Sequence, residues 1–249
     1  SGAHWPDSLA AINSTSTHWA FVPAKRFAPP KVAGVSTNID AFLRAPVIAS
    51  GLKPAPRTDK RTLIRRAYFD ITGLPPAPKD VEAFVADRSP EAFSKVVDSL
   101  LASPAFGERW GRHWLDVARY ADSNGLDENL AHGNAFRYRD WVVKALNQDL
   151  PYDRFVQYQI AGDLLTPGTE AERADMLTAT GYLSLGPKVL AEQDKPKLVM
   201  DIVDEQIEVV SKSVMGVTIA CARCHDHKFD PISTKEYYAL AGIFKSTKT

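Results

Sequence analysis

The chain has no excess of either charge: thirty basic residues face thirty acidic ones among its 249. That balance argues against nucleic acid or an anionic membrane as partner. No apolar run approaches membrane-spanning length, so no insertion in this segment is expected. There is no signal peptide, no internal repeat and no βαβ alternation. A Gly-rich nucleotide loop, a nucleophile elbow and the zinc-protease helix motif are all missing, which removes the conventional active sites. Cysteine is scarcest of all. The only two stand in Cys221-Ala222-Arg223-Cys224-His225, followed by Asp226-His227-Lys228-Phe229-Asp230-Pro231.

Two cysteines three apart with a histidine directly after the second is the attachment pattern of a c-type haem. Both thiols must reach the vinyl groups on one edge of the porphyrin, and the short turn brings the next imidazole beneath the iron as proximal ligand. Three other readings share the cysteines. A disulfide or a redox-active dithiol needs only the pair, and a thioredoxin-like dithiol follows a strand, whereas the residues before Cys221 look helical. Zinc needs two further ligands, which His225 and His227 supply only in a cramped loop. Haem alone accounts for both the spacing and the histidine.

Residues 1–57 are rich in proline and poor in helical periodicity. Trp5, Pro6, Trp19, Phe21, Val22, Pro23, Phe27, Pro29 and Pro30 predict an ordered, extended arm packed on a core. From 58 to 249 the pattern is helical. Leu63, Ile64, Ala67, Tyr68 and Ile71 form a first stripe. Val81, Phe84 and Val85 mark a short helix, and Ser89-Pro90-Glu91 starts the next, which Ser103-Pro104 ends. A helix from about 106 to 122 places Trp110, Trp114, Val117, Ala118 and Ala121 on one face, with His113 at its edge. Further helices follow around Trp141, Phe155 and residues 170–183. A long one from about 196 to 217 turns Val199, Ile202, Val203, Ile207, Val210 and Val214 inward and leaves Asp201, Asp204, Glu205 and Glu208 as a solvated face. Ser233 and Glu236 form a capping box for the last. The expected fold is mainly α: a single helical haem c domain with a proline- and aromatic-rich N-terminal arm.

Three stretches together resemble a known family. They are Arg61–Arg66 with Phe69–Pro76, then Glu108–Asp122, then the Cys-Ala-Arg-Cys-His-Asp-His-Lys-Phe-Asp-Pro-Ile run of 221–232. The chain is similar, from about residue 17 onward, to the central domain of planctomycete-type multi-domain cytochrome c proteins, a domain of unknown function. Leu43 to Ser50 departs from that pattern. The resemblance implies a secreted protein in which this domain follows a small cytochrome c domain and precedes another uncharacterised one, encoded near polysaccharide-degradation genes. Ser1-Gly2-Ala3 reads as a cloning remnant, so a leader and flanking domains are expected to have been removed. Thioether attachment happens outside the cytoplasm, which gives the expected location, periplasmic or secreted.

With His225 proximal, the residue on the other face of the iron decides the chemistry. His113 between Trp110 and Trp114 is the leading distal candidate, in an aromatic wall of the kind that packs on a porphyrin; the plain alternative is a core-edge histidine bonded to Asp116 or Tyr120. Met176, Met200, His18 and His132 follow, and an open face is the remaining choice. Met215 reads as core filler, His4 lies at an arm end, and His227 is too close to His225 to reach across. Asp226, His227, Lys228 and Asp230 either orient the proximal imidazole and bind propionates or form a solvated turn capped by Pro231. Calcium on Asp226 and Asp230 lacks a glycine-bearing loop. Arg112 and Arg119 either neutralise propionates or pair with Asp116 and Glu108. The leading expectation is electron transfer to a partner redox protein or adjacent cytochrome domain. The alternatives are a haem enzyme with an open face, acting on peroxide or a carbohydrate-derived substrate, and a non-catalytic module with structural haem or zinc.

Overall fold

The computed structural model describes residues 19–126 and 128–246; the expectations placed on His4, Trp5, Pro6 and His18 lie outside them. The chain divides into two compact units, residues 1–59 and 60–249. It is mainly helical. Among the described residues there is no strand, only an isolated antiparallel bridge between Ser123 and Ala131.

The first unit corrects the extended-arm expectation over part of its length. After a single 3-10 turn at Trp19–Phe21 and an irregular stretch, α1 runs over Asn38–Ala49. Thr37 caps it: its Oγ accepts the Asp40 N–H at 3.1 Å. Pro46 sits in the last turn, where it removes one hydrogen bond without ending the helix. The proline count hid the helix, and of the segment Leu43 to Ser50 all but Ser50, its C-cap, belongs to it.

In the second unit, α2 (Lys60–Ile71), α3 (Pro78–Ala86) and α4 (Ala92–Leu101) close around Ile64, Phe84 and Ala92. The Lys60 ammonium donates to the carbonyls of Phe84 at 3.1 Å and of Asp87, placing a cation where the end of α3 leaves acceptors unpaired. Helix α4 starts at Ala92, not at Pro90.

A larger core is built by α5 (Pro104–Val117), α6 (Ala135–Asn147), α7 (Tyr152–Ala161), α8 (Glu170–Ala179), α9 (Lys195–Val210) and α10 (Thr234–Lys245). Trp141, Phe155, Met176, Tyr182, Ile207 and Tyr237 lie in it. The buried face of α5 is only in part the one its large residues mark: Trp114 packs on the core and Ala118 is buried. Gly107, Gly111 and Leu115 are buried, while Trp110 is 44% exposed and Val117 43%. The reason is close approach. A Cβ on Gly107 would stand 2.6 Å from the Asn147 side chain, and one on Gly111 3.2 Å from Val143 Cγ2. Two glycines four apart let α6 lie against the α5 backbone.

Helix α5 also ends early, at Val117 rather than 122. Arg119 takes the left-handed conformation, φ 56°, that glycine usually supplies after a helix. An arginine is tolerated there because its guanidinium crosses to α9 and meets Glu205, Nε to Oε2 3.1 Å. Burial pushes the Arg119 pKa down, and Glu205 is the first charge to oppose that.

The solvated-face reading of α9 is corrected as well. Glu205 holds Arg119, and Asp201 and Asp204 hold Arg223. Val203, Gln206, Ile207 and Val209 are the buried residues of the helix, whereas Val199 and Val214 are exposed. α9 gives way at Ser211–Met215 to a π-helical turn that Gly216 closes in a left-handed conformation. Met215 is 61% exposed, so it is not core filler.

Gly111→Val is expected to lower stability by about 1–3 kcal/mol in chemical denaturation, as overpacking does. The same substitution in a Val143→Ala background should recover a large part of the loss. Equal losses in both backgrounds would contradict the α5–α6 contact.

Candidate functional site

The turn that carries the cysteines is a 3-10 segment, Ile219–Arg223, packed on α9 and α10. Its residues divide by direction. Ile219 and Ala222 are buried, and Arg223 reaches back to α9, Nη2 to Asp201 Oδ1 3.0 Å and Nη1 to Asp204 Oδ2 3.2 Å. Cys221 and Cys224 are free thiols on the outer side, and His225 is exposed beside them. The two residues between the cysteines therefore anchor the turn, and Cys221, Cys224 and His225 face outward.

The anchor is reinforced from α10. The Tyr237 hydroxyl donates to Asp204 Oδ1 at 2.6 Å, and the Tyr238 hydroxyl donates to the Arg223 carbonyl at 3.2 Å. Burial, then the bond to Asp204, pushes the Tyr237 pKa up. Burial works against the Arg223 charge, but the bond to Asp201 and the field of Asp204 outweigh it and raise its pKa. The Asp201 carboxyl is held below its ordinary value, chiefly by its hydrogen bond from Lys197 and then by Arg223.

The segment after the cysteines is closed on itself. His225 Nδ1 lies 2.8 Å from the Asp226 carbonyl, so that nitrogen carries the proton and donates, and Nε2 makes no hydrogen bond among the described residues. His227 is turned inward, its side chain 7% exposed. Its Nδ1 accepts the backbone N–H groups of Phe229 at 3.2 Å and Asp230 at 2.7 Å. The proton is therefore on Nε2, which donates to Thr218 Oγ1 at 3.0 Å. The His227 N–H donates to the Ile232 carbonyl at 2.8 Å, and Asp226 Oδ1 accepts the Thr234 N–H at 2.8 Å. Both ring nitrogens of His227 are spent on the loop. They are not available to a zinc ion beside the thiols, and no group of three or more His, Cys, Asp or Glu able to hold a metal ion occurs among the described residues.

The residues do fit a proximal haem ligand. A metal-bound histidine usually donates its second N–H to a carbonyl or carboxylate, which fixes the ring and leaves the other nitrogen for the metal. His225 has that arrangement, next to two free thiols.

The remaining predicted residues have partners of their own in the structure. His113 is exposed on α5 and stands edge-on to Trp110, ring centroids 5.4 Å apart. α5 packs on α2, α4 and α6, whereas the cysteine turn packs on α9 and α10. Trp114 is a core residue: its Nε1 donates to Gln159 Oε1 at 2.7 Å and its ring stacks on Tyr182. Arg112 pairs with Asp116, and Arg119 joins α5 to α9. Met176 is sealed in the core and Met200 packs against it. Lys228 lies over the Phe229 ring, 5.1 Å from its centroid. Sequence reasoning missed the part played by Arg223, Asp201 and Asp204. The available signal was a basic residue inside the cysteine motif, following a helix with acids three apart.

The clamp gives a pH dependence with a definite sign. A carboxyl whose folded pKa lies below the unfolded value of about 3.9 contributes stability above that value and loses it as pH falls through the folded one. Amide exchange at residues 219–226 is expected to speed up below about pH 4, beyond its intrinsic pH trend. The Asp201→Asn variant should show the faster exchange already at neutral pH. An acid profile identical in parent and Asp201→Asn would contradict the clamp.

No curated protein and no solved structure matches this chain. A family model does, over residues 38–249, and those residues include α1 to α10, the Arg223 clamp and the whole cysteine turn. The chain belongs to the family designated PSCyt2, described as a protein of unknown function, DUF1549.

Proposed function

We propose that this chain is an extracytoplasmic c-type haem protein that passes electrons to or from a partner redox protein or an adjacent cytochrome domain. The observation that carries the reading is the division of the turn. Ala222 and Arg223 hold it to the fold, while Cys221, Cys224 and the free Nε2 of His225 face out together. Attachment adds each S–H across a vinyl C=C, forming one S–C and one C–H bond with no net oxidation, so it needs both thiols free. They are. When bound, the group supplies an iron that cycles between ferric and ferrous by one electron. Of the chain's own residues, Cys221 and Cys224 would hold it, His225 would ligate it, and the Asp226 carbonyl would orient the imidazole. Thioether attachment takes place outside the cytoplasm, the ground for a periplasmic or secreted location; a link to polysaccharide degradation rests on the family resemblance alone.

One observation favours a second reading, a haem with an open sixth position. Among the described distal candidates, Met176 is buried in the core, Met200 packs against it, and His113 sits on a helix with other packing partners, which leaves His132, whose buried Nε2 has no hydrogen-bond partner among the described residues, as the candidate this reading must exclude. The two readings separate spectroscopically. Protein matured with haem-attachment machinery is expected to show reversible one-electron reduction, and His225→Ala should convert its spectrum to that of a misligated haem. A low-spin parent that refuses cyanide supports electron transfer, and His113→Ala then reports whether His113 is the ligand. A high-spin parent that binds cyanide readily moves the open-face reading ahead. A matured protein with no haem spectrum contradicts both.

A further inference from the structure

We propose that the loop from Asp226 to Ile232 is a preformed recognition surface for the porphyrin, binding haem non-covalently before the thioethers form. Phe229 meets the macrocycle and Lys228 meets a propionate. The inference rests on the haem reading above, gives the propionate role to Lys228, and adds a step and one residue, Phe229.

Phe229 is 80% exposed. A single exposed apolar side chain is ordinary in itself. What sets this one apart is how firmly its backbone is held. The Phe229 N–H and its successor's both donate to the inward-turned His227, whose other nitrogen is tied to Thr218. The His227 N–H closes the loop on Ile232, and Asp226 fastens its start to the first turn of α10. A buried histidine is thus used to hold an exposed phenylalanine in place, four positions after the residue whose free Nε2 is the iron ligand. Burying a ring costs little ordering when its backbone is already fixed.

The neighbouring charge gives the ligand its class. Lys228 stands over the Phe229 ring, 5.1 Å from the centroid, and makes no ion pair among the described residues. The nearby acids are held by other groups: Asp226 accepts the Thr234 N–H, Glu236 completes the capping box of α10, and the Asp230 carboxylate lies 3.5 Å from His227 Nδ1. A flat apolar face beside an uncommitted cation complements a flat apolar molecule with carboxylates on its edge. Haem is such a molecule, and the thiols that would fix it lie in the adjoining turn.

The test removes the covalent bond. A Cys221→Ala/Cys224→Ala chain, titrated with haemin, is expected to bind one equivalent with a Soret shift that His225→Ala abolishes. In that background Phe229→Ala should weaken binding about tenfold, which is about 1.4 kcal/mol. Lys228→Met should weaken haemin binding but leave binding of haemin dimethyl ester unchanged, because the ester carries no carboxylate. Circular dichroism melting of each variant verifies the fold. Haemin affinity unchanged from the cysteine-free background in both the Phe229→Ala and Lys228→Met variants overturns the proposal, as does uptake that never saturates. If the parent gains covalent haem but the cysteine-free chain binds none, the recognition surface is wrong and the haem reading stands. If the cysteine-free chain binds haemin as described but the parent never gains covalent haem, the surface stands and the thioether reading falls.

Discussion

The Arg223 guanidinium held between Asp201 and Asp204 is the contact on which the candidate site depends. A turn of five residues has no means of fixing its own orientation, since a 3-10 segment that short has few hydrogen bonds of its own. The arginine supplies that orientation from within the motif. Ala222 is pressed into the core on one side and Arg223 is drawn to α9. The cysteines on either side of them are left facing outward. The pairing is half-exposed, and pairs of this kind contribute about 1 kcal/mol or less. Its importance is positional: two bonds from one planar fork fix direction as well as distance.

Helix α9 makes this possible by serving two arginines with three neighbouring acids. Glu205 receives Arg119 from the end of α5, and Asp201 and Asp204 receive Arg223 from the turn. Arg119 accepts a left-handed backbone to do so, a local strain of about 1 kcal/mol or more. The same acids that look like a solvated face along the helix are thus the joints between the larger core and the site. Tyr237 completes the arrangement by donating to Asp204 from a fully buried position in α10.

What could be read from the sequence follows the range of the interaction. The capping box of Ser233 and Glu236 is local, and it is present as expected. So is the α2 stripe, of which Ile64 and Ala67 are buried. The phase of α5 was hidden because two of its three buried positions are glycines, which register in no hydrophobic pattern and have meaning only once α6 is in place. Helix α1 was hidden by proline, although the Thr37 cap was in view. The cysteine motif was legible from spacing, but the inward turn of His227 was not, since Thr218 and the backbone of Phe229 and Asp230 decide it. The acids of α9 were not legible, since each partner lies far along the chain and only the fold brings it close. That Trp114 belongs to the core was likewise decided by Tyr138, Gln159 and Tyr182, all remote in sequence.

The claim at the centre of this account is that the outward-facing thiols carry a covalent group. The direct measurement is the mass of the acid-denatured chain, and of the peptide spanning Ile219 to Ile232, after maturation beside haem-attachment machinery. The account predicts one haem per chain, retained in denaturant and carried by the peptide that contains Cys221 and Cys224, and lost when both are alanine. A peptide of unmodified mass, with both thiols still free to alkylate, would contradict it.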